Sequence, residues 1–368
     1  MYSILIETTQ NVAKNITVKI PLKENHSEEI GIKEYLNLNK YDMGIGEFDE
    51  MASTYFYHQF LNFLEWILVI IAFLGCKNLR VSNYRVSNTF TALSNDFKTV
   101  KQHDGLPNSD IFLKESERYK KNIEIREKTT NGVFEYYLSY HIYYYEKLSV
   151  DLKGKKKVNI KKLKEDELME LNLLKKIKYH FANQNELGNF TNYPKYEKIV
   201  YIGGILVEEK GLLNKNKIEK NESDFEECKF IVRINKNIVP QNYSENIQII
   251  DSNQLLNQQE ILAKENTLLM ISHCGQNSLI EALYAGVPLI CIPFNGDQPY
   301  NSAIVENLGI GIWVEREKIG EEIKDALFKI LKTKTYSDAV WELRSKIHAL
   351  PPKKKIFLDR IEEVMNED

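Results

Sequence analysis

Residues 267–314 read TLLMISHCGQNSLIEALYAGVPLICIPFNGDQPYNSAIVENLGIGIWV, and their rhythm decides the fold. TLLMIS at 267–272 predicts a short apolar strand. A tight turn follows, then a helical run over 276–284 closed by Gly286. VPLICIPF at 287–294 predicts a second strand, rich in β-branched residues and apolar on both faces. A polar turn at 295–298 leads to a helix over 301–307 ended by Gly309, and then to a strand over 310–314. Working outward, KFIVRI at 229–234 predicts an earlier strand, and residues 321–331 predict a later helix. Strands alternating with helices, the strands apolar on both faces, predict a parallel sheet covered on both sides. The second half is therefore expected to be a doubly wound α/β domain.

The chain has 368 residues, more than one small core accommodates, so two domains are expected. With 43% hydrophobic and 27% charged residues, its composition excludes a disordered tail protein, a collagen-like chain and a multi-span transporter. Lys and Arg number 49 against 52 Asp and Glu, for a net charge of -3. No global basic field exists, and no nucleic-acid partner is expected. Cys76, Cys228, Cys274 and Cys291 show neither CxxC spacing nor clustered histidines. That excludes a zinc ribbon and offers no disulfide framework, and no metal site is expected.

The first half is less regular. The run FLNFLEWILVIIAFLGC at 60–76 is strongly apolar, but Asn62 and Glu65 interrupt it. It falls short of the ~20 apolar residues a spanning helix needs, so a buried core helix is expected ahead of a membrane span. YDMGIGEFDE at 41–50 reads as a Gly/acid turn, and His26 as a solvated turn residue. The aromatics of 134–148 recur near helical spacing, and the lysines of 151–178 alternate with acids as on solvated helix faces. The polar stretch 208–227 reads as the linker between the halves. Sequons at Asn15, Asn25, Asn189, Asn221 and Asn242 carry little weight in so Asn-rich a chain. The opening residues show no secretory leader.

In open parallel sheets, ligands sit outside the carboxyl ends of the strands. Here that junction reads HCGQNSLIE, residues 273–281. Gly275 permits a tight turn with backbone close to a ligand. Asn277 and Ser278 fall in the first turn of the helix, where orphan N–H groups and the positive dipole end favour a phosphate. His273, at the strand tip, is placed to donate a hydrogen bond to a pyrophosphate oxygen. Ser278 and Glu281 also have the S-x-x-E spacing of a capping box, so anion binding and plain capping both remain open on spacing alone. The next junction carries Gly296, Asp297 and Gln298, where a carboxylate beside an amide matches the needs of sugar hydroxyls.

Taken in order and without a gap, HCGQNSLIEALYAGVPLICIPFNGDQPYN at 273–301 resembles the donor-binding signature of the UDP-glycosyltransferases of animal type, UDP-glucuronosyltransferases included. LLNQQEIL at 255–262 is similar to the family's Trp-x-Pro-Gln segment, with Gln258 kept, Leu255 at the base-stacking Trp and Asn257 at the Pro. FANQNELGNF at 181–190, KIVYIGGI at 198–205 and YDMGIGEFDE at 41–50 resemble further family segments.

The resemblance implies a glycosyltransferase-B fold of two Rossmann-like domains, the N-terminal one shortened. It implies an acceptor-binding domain at 1–207, a linker at 208–227, and a UDP-sugar donor domain with a C-terminal helix at 228–368. It implies inverting transfer from a UDP-sugar, glucuronic acid or glucose, to a hydroxyl of a small lipophilic acceptor, with no metal or other cofactor. His273, Asn277 and Ser278 would hold the phosphates, Glu281 the ribose, Gln258 the uracil edge, and Asp297 and Gln298 the transferred sugar. Glu47 falls where the family's base-orienting acid sits. No histidine matches the catalytic base, and the polar linker occupies the place of a Ser-Phe-Gly-Ser strand end. A non-catalytic relative, or half of a split enzyme with a partner chain supplying the base, is the alternative expectation. The family's place is the endoplasmic reticulum membrane, although the chain as written shows neither a leader nor a C-terminal anchor.

Overall fold

In a computed structural model of the chain, the described residues are 17–22, 26–31, 43–47, 65–70, 100–110, 113, 115–121, 124, 177–191, 197–214 and 228–366. Of the strands up to residue 70, only the backbone is described. The chain divides into two compact units, one comprising residues 1–69, 132–180 and 360–368, the other residues 70–131 and 181–359.

In the first unit, β1 (Thr17–Leu22) and β2 (His26–Gly31) pair antiparallel, with Leu22 opposite His26. His26, expected in a solvated turn, instead opens a strand and pairs with Leu22 in the ladder. Strand β3 (Met43–Glu47) runs parallel to β4 (Glu65–Ile70), with Glu47 opposite Val69. Two expectations are corrected here. Residues 43–47 form a strand rather than a turn, and the apolar run at 60–76 contains a strand rather than a core helix. A short continuous apolar run such as EWILVI satisfies a buried parallel strand as well as a helix, and periodicity alone does not separate them. Strand β5 (Ile177–Ala182) follows. The tyrosine-rich stretch 134–148 and the lysine-rich stretch up to residue 176 lie outside the described residues, as do residues 215–227 of the polar linker.

In the second unit, β6 (Ile199–Tyr201) leads into a turn in which the Ile202 N–H donates to the Ala182 carbonyl at 2.8 Å. Helix α1 (Ile205–Lys210) follows, and residues 208–210 of the polar stretch form its end. Then come β7 (Phe230–Ile234), β8 (Ile247–Asp251), α2 (Gln258–Leu262) and β9 (Met270–Ser272). Helix α3 (Gln276–Ala285) is closed by Gly286 in the left-handed conformation, φ 65°, as its place after the helical run predicts. Beyond it lie β10 (Leu289–Cys291), α4 (Gln298–Asn307), β11 (Gly311–Trp313), α5 (Ile319–Lys332), α6 (Lys334–His348) and α7 (Lys353–Met365).

Strands β7 and β8 are parallel, and β11, β10 and β9 lie side by side in that order, also parallel. Successive residues of β10 point to opposite faces, and each face meets a different helix layer. Leu289 and Cys291 join the core formed by Leu279, Ile280 and Leu283 of α3 with Val340 and Ile347 of α6. Ile290 joins Ala326 and Ile330 of α5 on the other side. The sheet is thus covered on both faces at its central strand β10, whose three residues are all apolar and buried for that reason.

Two long-range attachments complete this unit. Residues 100–110 dock on α4, where the Glu306 carboxylate accepts from the His103 N–H at 3.2 Å and the Gly105 N–H at 3.4 Å. Beyond α4, Gln102 Nε2 donates to the Trp313 carbonyl at 2.7 Å. At the far end of α3, the Tyr284 hydroxyl donates to Glu208 at 2.8 Å, and the Lys353 N–H donates to the same carboxylate at 2.7 Å. The Lys353 ammonium is buried there, 3.4 Å from Glu186. Among the described residues, no helix is long and apolar enough to cross a membrane.

Candidate functional site

The parallel order of β9 and β10 places their following loops side by side, which is why residues distant in sequence meet here. Ser272, the last residue of β9, lies opposite Cys291, the last of β10. From Ser272 the chain turns sharply: Cys274 has φ 65°, an unusual value for a residue with a side chain. Its N–H donates to the Ser272 hydroxyl at 3.1 Å, and its carbonyl accepts from Asn301 Nδ2 at 3.0 Å. This turn aims the chain into the first turn of α3.

Gly275 is the N-cap of α3, in an extended conformation that any residue adopts. A Cβ there would lie 2.7 Å from His273 Nε2, so a side chain at this position would displace the exposed imidazole. Since the first N–H bonded within the helix is that of Leu279, to Gly275, the N–H groups of Gln276, Asn277 and Ser278 have no intrahelical acceptor. Asp297 Oδ2 takes one of them, accepting from the Gln276 N–H at 2.9 Å and also from Asn301 Nδ2 at 2.8 Å. His273 and Asn277 are exposed at the rim, and Ser278 is half-buried. Asn183, from the loop after β5, donates to Asn277 Oδ1 at 3.2 Å.

The capping-box reading of Ser278 and Glu281 fails. Helix α3 begins at Gln276, so Ser278 is already inside the first turn and Glu281 lies beyond it, and the N-cap position is Gly275, not Ser278. Glu281 faces α2 instead. Its carboxylate accepts from Gln258 Nε2 at 2.6 Å and from Gln259 Nε2 at 2.9 Å, and Gln258 Nε2 also lies 3.4 Å from Ser278 Oγ. Gln298 behaves differently. Its Oε1 accepts from the Phe294 and Asn295 N–H groups at 2.8 and 3.1 Å, which ties it to its own loop. Leu255 is fully exposed ahead of α2.

The structure therefore gathers Gln258, His273, Gly275, Asn277, Ser278, Glu281 and Asp297 around the amino end of α3, with Gln298 on the adjoining loop. Glu47 ends β3 in the first unit, and its side chain lies outside the described residues. Four contributors escaped the reading of the sequence as site residues: Asn183, Gln259, Gln276 and Asn301. Asn301 stood inside the quoted signature, and Gln259 beside Gln258. Asn183 stood inside the quoted segment 181–190, but its partner is 94 residues away. Gln276 Oε1 and Asn301 Oδ1 are buried with no hydrogen-bond partner among the described residues, so polar capacity is left unused beside the Asp297 loop. An anion or a polyhydroxyl ligand at this end of the sheet would meet helix N–H groups, an imidazole and a carboxylate together.

Parallel strands wrapped on both faces define an α/β protein of the open-sheet class, in which ligands bind outside the carboxyl ends of the strands. A solved structure supports the fold across the whole chain: the crystal structure of LpCGTa in complex with UDP is 12% identical, with a TM-score of 0.54 over 100% of this chain and 81% of that one. The fold is glycosyltransferase-B. The family described as UDP-glucoronosyl and UDP-glucosyl transferase matches residues 228–365. Among curated relatives, the UDP-glycosyltransferase stmC of Aspergillus ustus is 35% identical over 132 residues, which are 35% of this chain and 24% of that protein. The UDP-glycosyltransferase CGT of Oryza sativa subsp. indica is 37% identical over 84 residues, 20% of this chain and 18% of that one. The matched stretches thus span a quarter or less of these relatives' own length. The likeness to the UDP-glycosyltransferase family thus lies in residues 228–365.

Proposed function

We propose that the second unit binds a UDP-sugar at the amino end of α3, and that the protein transfers its glycosyl group, glucuronic acid or glucose, to a hydroxyl of a small lipophilic acceptor with inversion. One observation carries this reading: Asp297 reaches from the loop after β10 to the Gln276 N–H, so the sugar-type loop borders the phosphate-type helix start. The diphosphate would lie against the N–H groups of Asn277 and Ser278 and against His273. These groups and the helix dipole stabilise the charge that collects on the departing UDP, without a metal in the scheme. Glu281 would accept from the ribose hydroxyls after exchanging its Gln258 and Gln259 partners. Gln258, so released, would present its amide to the uracil edge. Asp297 and Gln298 would accept from and donate to the sugar hydroxyls. Glu47 would orient the base that deprotonates the acceptor. The membrane of the endoplasmic reticulum is the proposed location, from the family resemblance alone.

Calorimetry with UDP, and UDP release from UDP-glucose and UDP-glucuronic acid with a pool of phenols, test the reading. UDP binding should weaken ~10-fold or more in His273→Ala, the loss of one hydrogen bond to a charged group. No heat with well-folded wild-type protein would remove the donor site. UDP binding without turnover on any acceptor would establish the non-catalytic alternative, and turnover only after adding a cell extract would establish the split enzyme.

A further inference from the structure

We infer that Cys274 and Cys291 form a reversible disulfide that staples the two loops of the site together. Both are free thiols and fully buried, and their sulfurs stand 2.7 Å apart, about 0.7 Å from the ~2.0 Å of a disulfide bond. The pair is built by the same features that build the site. Cys291 ends β10 opposite Ser272, and Cys274 follows Ser272 by two residues. The turn at Cys274 holds a positive φ, where glycine or asparagine is far easier to accommodate, yet it carries the side chain that meets Cys291. On either side of this sulfur stand His273 and Gly275, and Cys291 leads into the loop of Asp297. A bond here would therefore fix the spacing of the phosphate-type and sugar-type loops.

The chemistry balances with a low-molecular-weight disulfide such as oxidised glutathione. One protein thiolate attacks that disulfide, giving a mixed disulfide and one glutathione thiolate. The second protein thiolate then displaces the other glutathione, so two protein sulfurs are oxidised and two glutathione thiols form, taking up the two protons. Burial, reinforced by the contact with Cys274, holds the Cys291 thiol well above its ordinary value. Cys274, on the loop after β9, is the attacking sulfur and Cys291, held within the sheet, the resolving one, and attack follows a transient opening of the turn.

The test uses the full chain with Cys76→Ser and Cys228→Ser, so that only this pair can react. It is equilibrated in glutathione redox buffers, from both the reduced and the oxidised side, natively and in denaturant. Intact mass and thiol titration give the dithiol–disulfide ratio in each state. The expected result is an effective thiol concentration about 100-fold or more higher in the native protein than in the denatured one, the scale of constraint expected for a loop of this length. A native value equal to or below the denatured one would overturn the staple, since the fold would then oppose the bond. Bond formation stands independently of the donor-site reading, whereas any effect on donor affinity rests on it. Disulfide formation in protein that binds no UDP would leave the staple standing and remove only the donor site.

Discussion

Replacing Glu306 with Gln should remove the pH dependence of stability that this buried carboxyl imposes. Glu306 is 8% exposed beneath residues 100–110, and it accepts from the His103 and Gly105 N–H groups. Burial raises its pKa from 4.5 to about 7, the two N–H bonds pull it down, and the charge of Asp104 pushes it up. Because the folded state holds this proton more tightly than the unfolded chain, the stabilising effect is complete below pH 4.5 and is lost as the pH rises through 7. Between those limits the loss is ~3 kcal/mol. Glu306→Gln stays neutral throughout but gives up one acceptor, at about 1 kcal/mol. The variant should therefore be equal to or slightly below wild type at about pH 5, and more stable by roughly 2 kcal/mol at about pH 8.

Urea unfolding from pH 5 to 8 measures this difference. His348 acts in the opposite direction. Burial lowers its pKa below 6.5, so its contribution is lost as the pH falls through 6.5 toward its folded value. That effect is common to both proteins and cancels in the comparison. A wild-type-to-variant difference that stays constant across the range would refute the reasoning.

The other predictions concern the far end of α3. Gly204 has φ 116°, and a Cβ there would lie 2.2 Å from the Tyr284 hydroxyl, so Gly204→Ala should cost at least ~2 kcal/mol in urea unfolding. An unchanged midpoint would show that α1 does not depend on this approach. Lys353 is 1% exposed and its ammonium meets Glu186, so Glu186→Ala should cost about 3 kcal/mol by leaving a buried charge without its carboxylate. Adding Lys353→Met should recover most of that loss, and a double variant no more stable than Glu186→Ala would contradict the account.

Much of the second half is legible along the chain. Apolar runs at 229–234, 267–272, 287–294 and 310–314 each contain a strand, though three of the strands are only three residues long. Gly286 ends α3 as its position in the pattern requires. His273, Gly275, Asn277 and Asp297 could be placed together because parallel strands carry their carboxyl ends to one edge, a consequence of alternation and chirality that needs no coordinates. Strand β8 and helix α6 have no counterpart in the sequence pattern, whereas α7 is the expected C-terminal helix. Residues 65–70 were misassigned because a continuous apolar run has no period to distinguish strand from helix.

Contacts between distant segments could not be read from local pattern at all. Gln259 meets Glu281 across 22 positions, Gln276 meets Asp297 across 21, and Glu306 is covered by residues more than 200 positions earlier. Local backbone periodicity sets where strands and helices begin. Which side chain satisfies a buried carboxylate depends on which segments pack against it, and that is decided only when the sheet and its helices assemble.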